Sequence, residues 1–237
     1  VESRSGETFA CLNPSTGQPI CEVSRGGKDD IDDAVAAARR AFKGEWSQYK
    51  PFDRQALMLA CAAAIDARFE ELSRLETMDM GAPVQRTAMF RRWIQQTFRY
   101  FASQAVATRG DIYSNSVPGD FMSYSRRVPL GVVAIIYENR PNVTSDAAGL
   151  CVKAGNAAFL RGSGSAIESN KEIAAALRDA MVKAGLPADA VILVEDTRRE
   201  AAVEFMRQRD TIDCLIPRGG PSLIQSILDN ATVPYVI

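Results

Sequence analysis

Histidine is absent from the 237-residue chain. That gap excludes Ser-His-Asp triads, Cys-His dyads and His-ligated zinc together. Any chemistry is left to cysteine, lysine, tyrosine, carboxylates or a bound cofactor. Cysteines are few and scattered: Cys11, Cys21, Cys61, Cys151 and Cys214 form an odd set with no CxxC pair. Such spacing fits neither a disulfide framework nor a zinc knuckle, so no metal is expected and the thiols read as reduced, in a cytoplasmic protein. Long apolar runs are missing too. The longest reach about eight residues, against the roughly 20 that span a bilayer, and the opening "VESRSGETFACLNPSTG" has no apolar core of signal-peptide type. Excess charge of either sign is lacking, the formal net charge being -1. The basic doublets Arg39-Arg40 and Arg91-Arg92 sit among acids and apolar residues in helical stretches and read as solvated faces. Neither a nucleic-acid partner nor a membrane is expected.

What is present is ordinary for a globular protein: 46% hydrophobic and 24% charged residues, in a chain long enough to bury a sizeable core. Two short apolar stretches flank Asn13-Pro14-Ser15-Thr16-Gly17, which predicts a β-hairpin. Three helices are expected next. The first covers about 28–42, with Ile31, Val35, Ala38 and Phe42 at helical spacing. The second runs from about 52 to 80 on the stripe Leu57, Cys61, Ile65, Phe69, Leu72 and Leu75, and Gly81-Ala82-Pro83 stops it. The third covers about 84–108, with Phe90, Ile94, Phe101 and Ala105 on one side, and Trp93 and Tyr100 read as packing residues. A less regular stretch joins the halves; Pro118-Gly119 supplies a turn, and Phe121, Ser123 and Ser125 alternate as in an extended strand.

From Val132 the texture becomes a strict alternation. The strands are "VVAIIY", "NAAFL", "AVILVE", "IDCLI" and the terminal "VPYVI", with helices between them at about 145–154, 167–184, 198–208 and 222–229. Apolar strands separated by amphipathic helices predict an α/β fold, a Rossmann-type parallel sheet with helices on both faces. Ligands of such sheets bind at the carboxyl ends of the strands, near a switch in strand order.

Three loops at those ends carry candidate residues. After the first strand come Glu138, Asn139, Arg140 and Asn142. Asn139 offers an amide N–H to an oxyanion and Arg140 a cation to a carboxylate or phosphate, although turn and helix-start duties would explain the same residues. After the second strand, Arg161, Gly162, Ser163, Gly164 and Ser165 begin a G-x-G-x-x pattern that Ile167 breaks at its third glycine. Small residues beside an arginine and before a helix still suit an anion such as a ribose phosphate, and equally a flexible turn. After the fourth strand, Pro217, Arg218, Gly219 and Gly220 combine a fixed cation, close backbone approach and a helix start. Cys151 and Cys214 fall inside a helix and a strand, as small core residues rather than nucleophiles.

The motifs "RVPLGVVAIIYENRPNVTSDAAGL", "KAGNAAFLRGSGSAIESN", "IDCLIPRGGPSLI" and "DNATVPYVI" make residues 128–237 closely similar to the γ-glutamyl phosphate reductases of proline biosynthesis. The first half, through "NPSTGQPICEVSRGGKDDIDDAVAAARRAF" and "ELSRLETMDMGAP", resembles instead the N-terminal part of general aldehyde dehydrogenases, which share the superfamily and fold. A hybrid of the two branches, joined near 124–127, accounts for both halves. The resemblance divides the chain into a hairpin, helical layer and connecting strand (1–127) and a dinucleotide-binding region (128–237).

It implies that Ile136, Tyr137 and Asn139, then Arg161, Gly162, Ser163 and Ser165, then Pro217, Arg218, Gly219 and Gly220 line NADP(H). Arg161 stands where many aldehyde dehydrogenases have a lysine that holds the adenosine ribose, and Asn139 falls at the superfamily's oxyanion asparagine. Arg140 and Asn142 are substrate candidates. The implied reaction is reduction of γ-glutamyl phosphate to glutamate 5-semialdehyde, in a homo-oligomer built through the hairpin and connecting strands. The family's nucleophilic cysteine lies past the "VPYVI" strand in a separate catalytic domain, and none of the five cysteines matches its motif. The expectation is therefore a cofactor-binding part; an NAD-dependent aldehyde dehydrogenase fragment and a non-catalytic scaffold domain are the alternatives.

Overall fold

The computed structural model describes residues 3–116 and 118–237, leaving out the side chains of 90 and 91. Phe90 of the expected stripe and the Arg91 side chain thus lie outside the described residues. The chain opens with the expected hairpin, β1 (Thr8–Leu12) against β2 (Pro19–Ser24). Helix α1 (Lys28–Lys43) follows, with Asp29 and Asp30 in its first turn, where acids favour the positive end of the helix dipole.

The single long helix expected over 52–80 is two helices, α2 (Pro51–Ala67) and α3 (Phe69–Met80), separated at Arg68. The apolar spacing runs on across the break, so periodicity hides it. What marks the break is tertiary: the Arg68 guanidinium reaches Glu172 and Asp179. Gly81, at φ 70°, then ends α3 in a left-handed conformation that costs glycine little.

Helix α4 covers Val84–Ala105, three residues short of the expected end. Its buried residues, among those described, are Thr87, Ile94, Phe98, Ala102 and Ala105. Trp93 and Tyr100 face outward, each 60% exposed, which corrects their reading as packing residues. The connecting stretch forms a two-residue ladder, β3 (Ile112–Tyr113) with β4 (Ser123–Tyr124), antiparallel and exposed.

The second half realises the alternation: β5 (Val132–Tyr137), α5 (Asn142–Ala154), β6 (Ala157–Arg161), α6 (Ile167–Lys183), β7 (Val191–Val194), α7 (Arg199–Met206), β8 (Cys214–Arg218) and α8 (Pro221–Asn230). All pairings in the sheet are parallel, in the order β7-β6-β5-β8. The fifth strand expected at "VPYVI" is reduced to one parallel bridge, Leu215 to Tyr235. Helix α5 begins three residues earlier than expected because Pro141 and Asn142 enter the turn, where Val143 N–H donates to the Arg140 carbonyl.

Alternation along the strands divides the core in two, as pleating demands. Val133, Ile135, Tyr137, Ala158 and Leu160 face α2, α4, α5 and α6. Val132, Ala134, Ile136, Ala157 and Phe159 face α1, α7 and α8, where Phe159 stacks on Phe205 at 4.7 Å. Residues from the first half thus complete both faces of the sheet. Polar clamps tie the layers at the amino ends of the strands. Trp46 Nε1 donates to the Asn156 carbonyl at 3.1 Å, Asn156 Oδ1 accepts from Gly131 N–H, and Asp213 accepts from Val132 N–H while pairing with Arg39.

One buried carboxylate positions a helix that leads out of a candidate loop. Asp79, at the end of α3 and 2% exposed, accepts from Ser169 N–H at 3.0 Å and Ser169 Oγ at 2.9 Å. It thereby caps the first turn of α6 from outside the helix. Burial raises the Asp79 pKa above the ordinary 3.8, against the lowering by Ser169. Replacing Asp79 by alanine strands the Ser169 donors and is expected to lower the unfolding free energy by about 2 kcal/mol in urea denaturation at neutral pH. A raised folded-state pKa means the unfolded chain ionises first, so the group's contribution is full below 3.8 and falls as pH climbs towards the folded value. The wild-type advantage over Asp79→Ala should narrow through that interval; an advantage constant with pH would contradict it.

Candidate functional site

Strands β5, β6 and β7 progress outward in chain order, and β8 then returns to the other side of β5. The switch in strand order therefore falls between β5 and β8, and the crevice at their carboxyl ends is where open α/β sheets take ligands. Four loops converge there: 138–141 after β5, 162–166 after β6, 195–198 after β7 and 219–220 after β8.

In the first loop Glu138, Asn139 and Arg140 are exposed. Glu138 spans the crevice, its Oε1 accepting Gly220 N–H at 3.0 Å. That contact needs glycine at 219, where a Cβ would come within 2.7 Å of the Glu138 carboxyl carbon. Asn142 is the first residue of α5 and donates to Asp146 Oδ2 at 3.1 Å. Ile136 and Tyr137 belong to β5 and are each 1% exposed, so their side chains lie in the core. The Tyr137 hydroxyl lies 2.6 Å from Thr144 Oγ1, which donates to Asn170 Oδ1 at 2.8 Å, and burial pushes the phenol pKa up. Tyr137 is thus a strut for the second loop.

Gly162 completes that strut. A Cβ there would meet Asn170 Nδ2 at 2.3 Å and the Tyr137 ring at 2.9 Å. Arg161 ends β6 and turns its guanidinium to the third loop, where Nη2 donates to the carbonyls of Thr197 and Arg198. Burial lowers its pKa, opposed by nearby Asp196. Ser163 Oγ accepts from Ser165 N–H at 3.3 Å and caps the short 3-10 turn Gly164–Ala166. Pro217 and Arg218 are the last residues of β8 rather than loop residues, and Gly219 and Gly220 lead into α8.

Sequence reading missed the loop after β7. Asp196, 1% exposed, accepts from Arg198 N–H at 2.9 Å and from its guanidinium, and that guanidinium also reaches the Gly26 carbonyl. The polar run "EDTRRE" directly after an apolar strand was the available signal. Thr144 and Asn170 carried no signal, because helix interiors hide polar contacts of this kind.

Buried polar atoms without a partner concentrate at this edge. Among the described residues they include Asp146 Oδ1, Arg161 Nε and Asn170 Nδ2, and such atoms are rare in folded proteins. A cleft of about 880 Å3 runs along the β7 edge between α1 and α6, lined by Ala34, Arg40, Lys171 and Leu193, and it reaches the third loop at Glu195 and Asp196. Two of its cations pair within it, Lys171 with Glu168 and Arg178 with Asp189. The thiols stay out of the convergent loops: Cys61 and Cys151 are buried, each with its pKa raised to about 12 by desolvation. No group of three or more potential metal ligands, and no helix long and apolar enough to cross a membrane, occurs among the described residues.

A doubly covered parallel sheet with glycine-bearing polar loops around its switch point is the architecture on which open α/β proteins take ligands. The match to known proteins narrows that class. The model of the aldehyde dehydrogenase family matches residues 1–235, and the chain belongs to that family. A γ-glutamyl phosphate reductase of Clostridium beijerinckii is 58% identical over 119 residues, 50% of this chain and 29% of that protein. Another, from Xanthomonas campestris, is 40% identical over 206 residues, 80% of this chain and 49% of that protein. A share of 80% extends well beyond residues 128–237, so similarity to the reductases continues into the first half. A betaine aldehyde dehydrogenase of Staphylococcus aureus, solved with NAD+, superposes with a TM-score of 0.90 at 26% identity, covering 99% of this chain and 47% of that one. The chain spans less than half the length of these relatives.

Gly162→Ala tests the strut without touching a charge. Forcing a methyl group against Asn170 and Tyr137 should cost roughly 1–3 kcal/mol of stability, measured by chemical denaturation. A variant as stable as the parent would show that the second loop is not braced from below.

Proposed function

We propose that residues 1–237 form the cofactor-binding part of an NADP(H)-dependent oxidoreductase that reduces γ-glutamyl phosphate to glutamate 5-semialdehyde. The observation that carries this reading is the 58% identity to a γ-glutamyl phosphate reductase, on a fold whose polar loops gather at one switch point. The residues fit a dinucleotide: glycines at 162 and 219 pack the loops close against Asn170, Tyr137 and Glu138, Arg161 and Arg218 supply cations, and unpartnered polar atoms lie at the same edge. When bound, the cofactor supplies hydride.

In this reading each group of the chain has a part. Gly219 and Gly220, at the start of α8, receive the cofactor's phosphates, with Arg218 as counter-charge. Arg161 holds the third loop in place and lends positive charge to the ribose side. Ser163 and Ser165 offer hydroxyls at the second loop, and the backbone of Ile136 and Tyr137 floors the crevice. Asn139 presents its amide N–H to the developing oxyanion, and Arg140 and Asn142 face the substrate's anionic groups. A catalytic thiol must meet both carbonyl and nicotinamide, and the buried cysteines of this chain, with their raised pKa values, do not supply it. Assembly into a homo-oligomer in the cytoplasm belongs to the same proposal.

The NAD+ bound by the Staphylococcus aureus neighbour favours a second reading, an NAD-dependent aldehyde dehydrogenase part. Titration with NADPH and NADH, followed by fluorescence or calorimetry, separates the two. Tighter NADPH binding is expected, NADH preference would favour the second, and binding of neither would leave a scaffold domain. The chain on its own should show no phosphate-dependent oxidation of glutamate 5-semialdehyde. Turnover that survives serine at all five cysteine positions would sink the requirement for a thiol outside these residues.

A further inference from the structure

Cys11 and Cys21 face one another directly across the β1–β2 hairpin. The ladder bond from Arg25 N–H to the Glu7 carbonyl fixes the alternation of the hairpin. Counting two residues at a time from 7 and 25 places 11 and 21 among the hydrogen-bonded pairs. Cα atoms of such pairs lie about 5.5 Å apart, within the Cα range of a disulfide, and the bond forms once the two Cβ atoms, roughly 5 Å apart across such a pair, close by about 1 Å. Both side chains lie on the inner face, where Cys11 and Val23 cluster with Ile167 and Cys21 packs against them. Cys11 is buried and Cys21 is partly exposed, so an oxidant reaches one of them first.

We propose that Cys11 and Cys21 are an oxidative modification site, converted by hydroperoxides to a disulfide that staples the hairpin. The Cys21 thiolate attacks one peroxide oxygen, breaking the O–O bond and giving a sulfenic acid with release of water or an alcohol. The Cys11 thiolate then displaces hydroxide from that sulfur and closes the S–S bond. In total two thiols lose two electrons to the peroxide, and their two protons leave in water or alcohol. The hairpin is well placed to transmit the change, because β1 touches the Gly164–Ala166 turn of the second loop.

The surroundings set the rate. Desolvation, with Asp79 and Glu168, raises the Cys11 pKa to about 11, and desolvation with Glu168 raises that of Cys21 to about 12; Lys171 opposes both. Thiolate is the attacking form, so the reaction is slow at neutral pH and accelerates by about tenfold per pH unit below those values.

Both cysteines fall within one tryptic peptide, residues 5–25. The full chain is incubated with hydrogen peroxide at pH 7 and pH 9, alkylated, digested without reductant and analysed by mass spectrometry. The expected product is peptide 5–25 short of two hydrogen atoms and closed to alkylation, formed faster at pH 9 and returned to the dithiol by reductant. Cys11→Ser and Cys21→Ser should each abolish it. Peptide 5–25 alkylated twice, carrying a sulfinic acid, or linked to another chain would overturn the proposal.

Discussion

Burial of β5 on both faces is the constraint from which the rest of the fold follows. All six of its side chains are buried, and a strand covered on both faces needs a helical layer above and below. The second half supplies part of each layer; α1 on one side and α2 and α4 on the other complete them. The hydrogen-bonding groups of β5 are taken on one edge by β6 and on the other by β8. A central strand so enclosed leaves only its ends to solvent, and the carboxyl end is where the chain turns polar.

That end is organised by contacts between loops more than by any single loop. Arg161 fixes the third loop, the Arg198 guanidinium reaches back to the carbonyl of Gly26 beyond the hairpin, and Glu138 links the first loop to the start of α8. Beneath them Tyr137, Thr144 and Asn170 form a buried hydrogen-bonded chain. Buried networks of this kind hold geometry because each unmade bond in a low-dielectric interior is costly. The two glycines that allow the closest approaches, Gly162 and Gly219, sit where side chains from other elements press on the loops.

Much of this was legible in the sequence, and the exceptions have physical reasons. The run "VVAIIY" marked β5 to the residue, since a doubly buried strand has no polar alternation to blur its ends. Acidic residues marked the start of α1, and a glycine stop marked the end of α3. The break at Arg68 was hidden because the apolar stripe continues across it, and the partners its side chain meets there lie in α6. The outward turn of Trp93 and Tyr100 was hidden because aromatic residues are ambiguous on a long helix with more apolar positions than one face can bury. At the site, the polar character of three loops was plain. The engagement of Arg161 with Thr197 and Arg198 was not, because it joins elements 36 and 37 residues apart.

The pairing of β8 with β5 has a consequence for how the protein is held together. Val132 and Asp213, bonded at the start of that seam, are 81 residues apart in sequence, so the crevice lies along the longest-range closure in the sheet. Long closures are the slowest to form and among the most expensive in chain entropy. A molecule gripping the loops on both sides of the seam acts as a clasp on this closure, and its binding energy adds directly to the stability of the folded state. Occupancy of the crevice and integrity of the sheet are therefore one equilibrium.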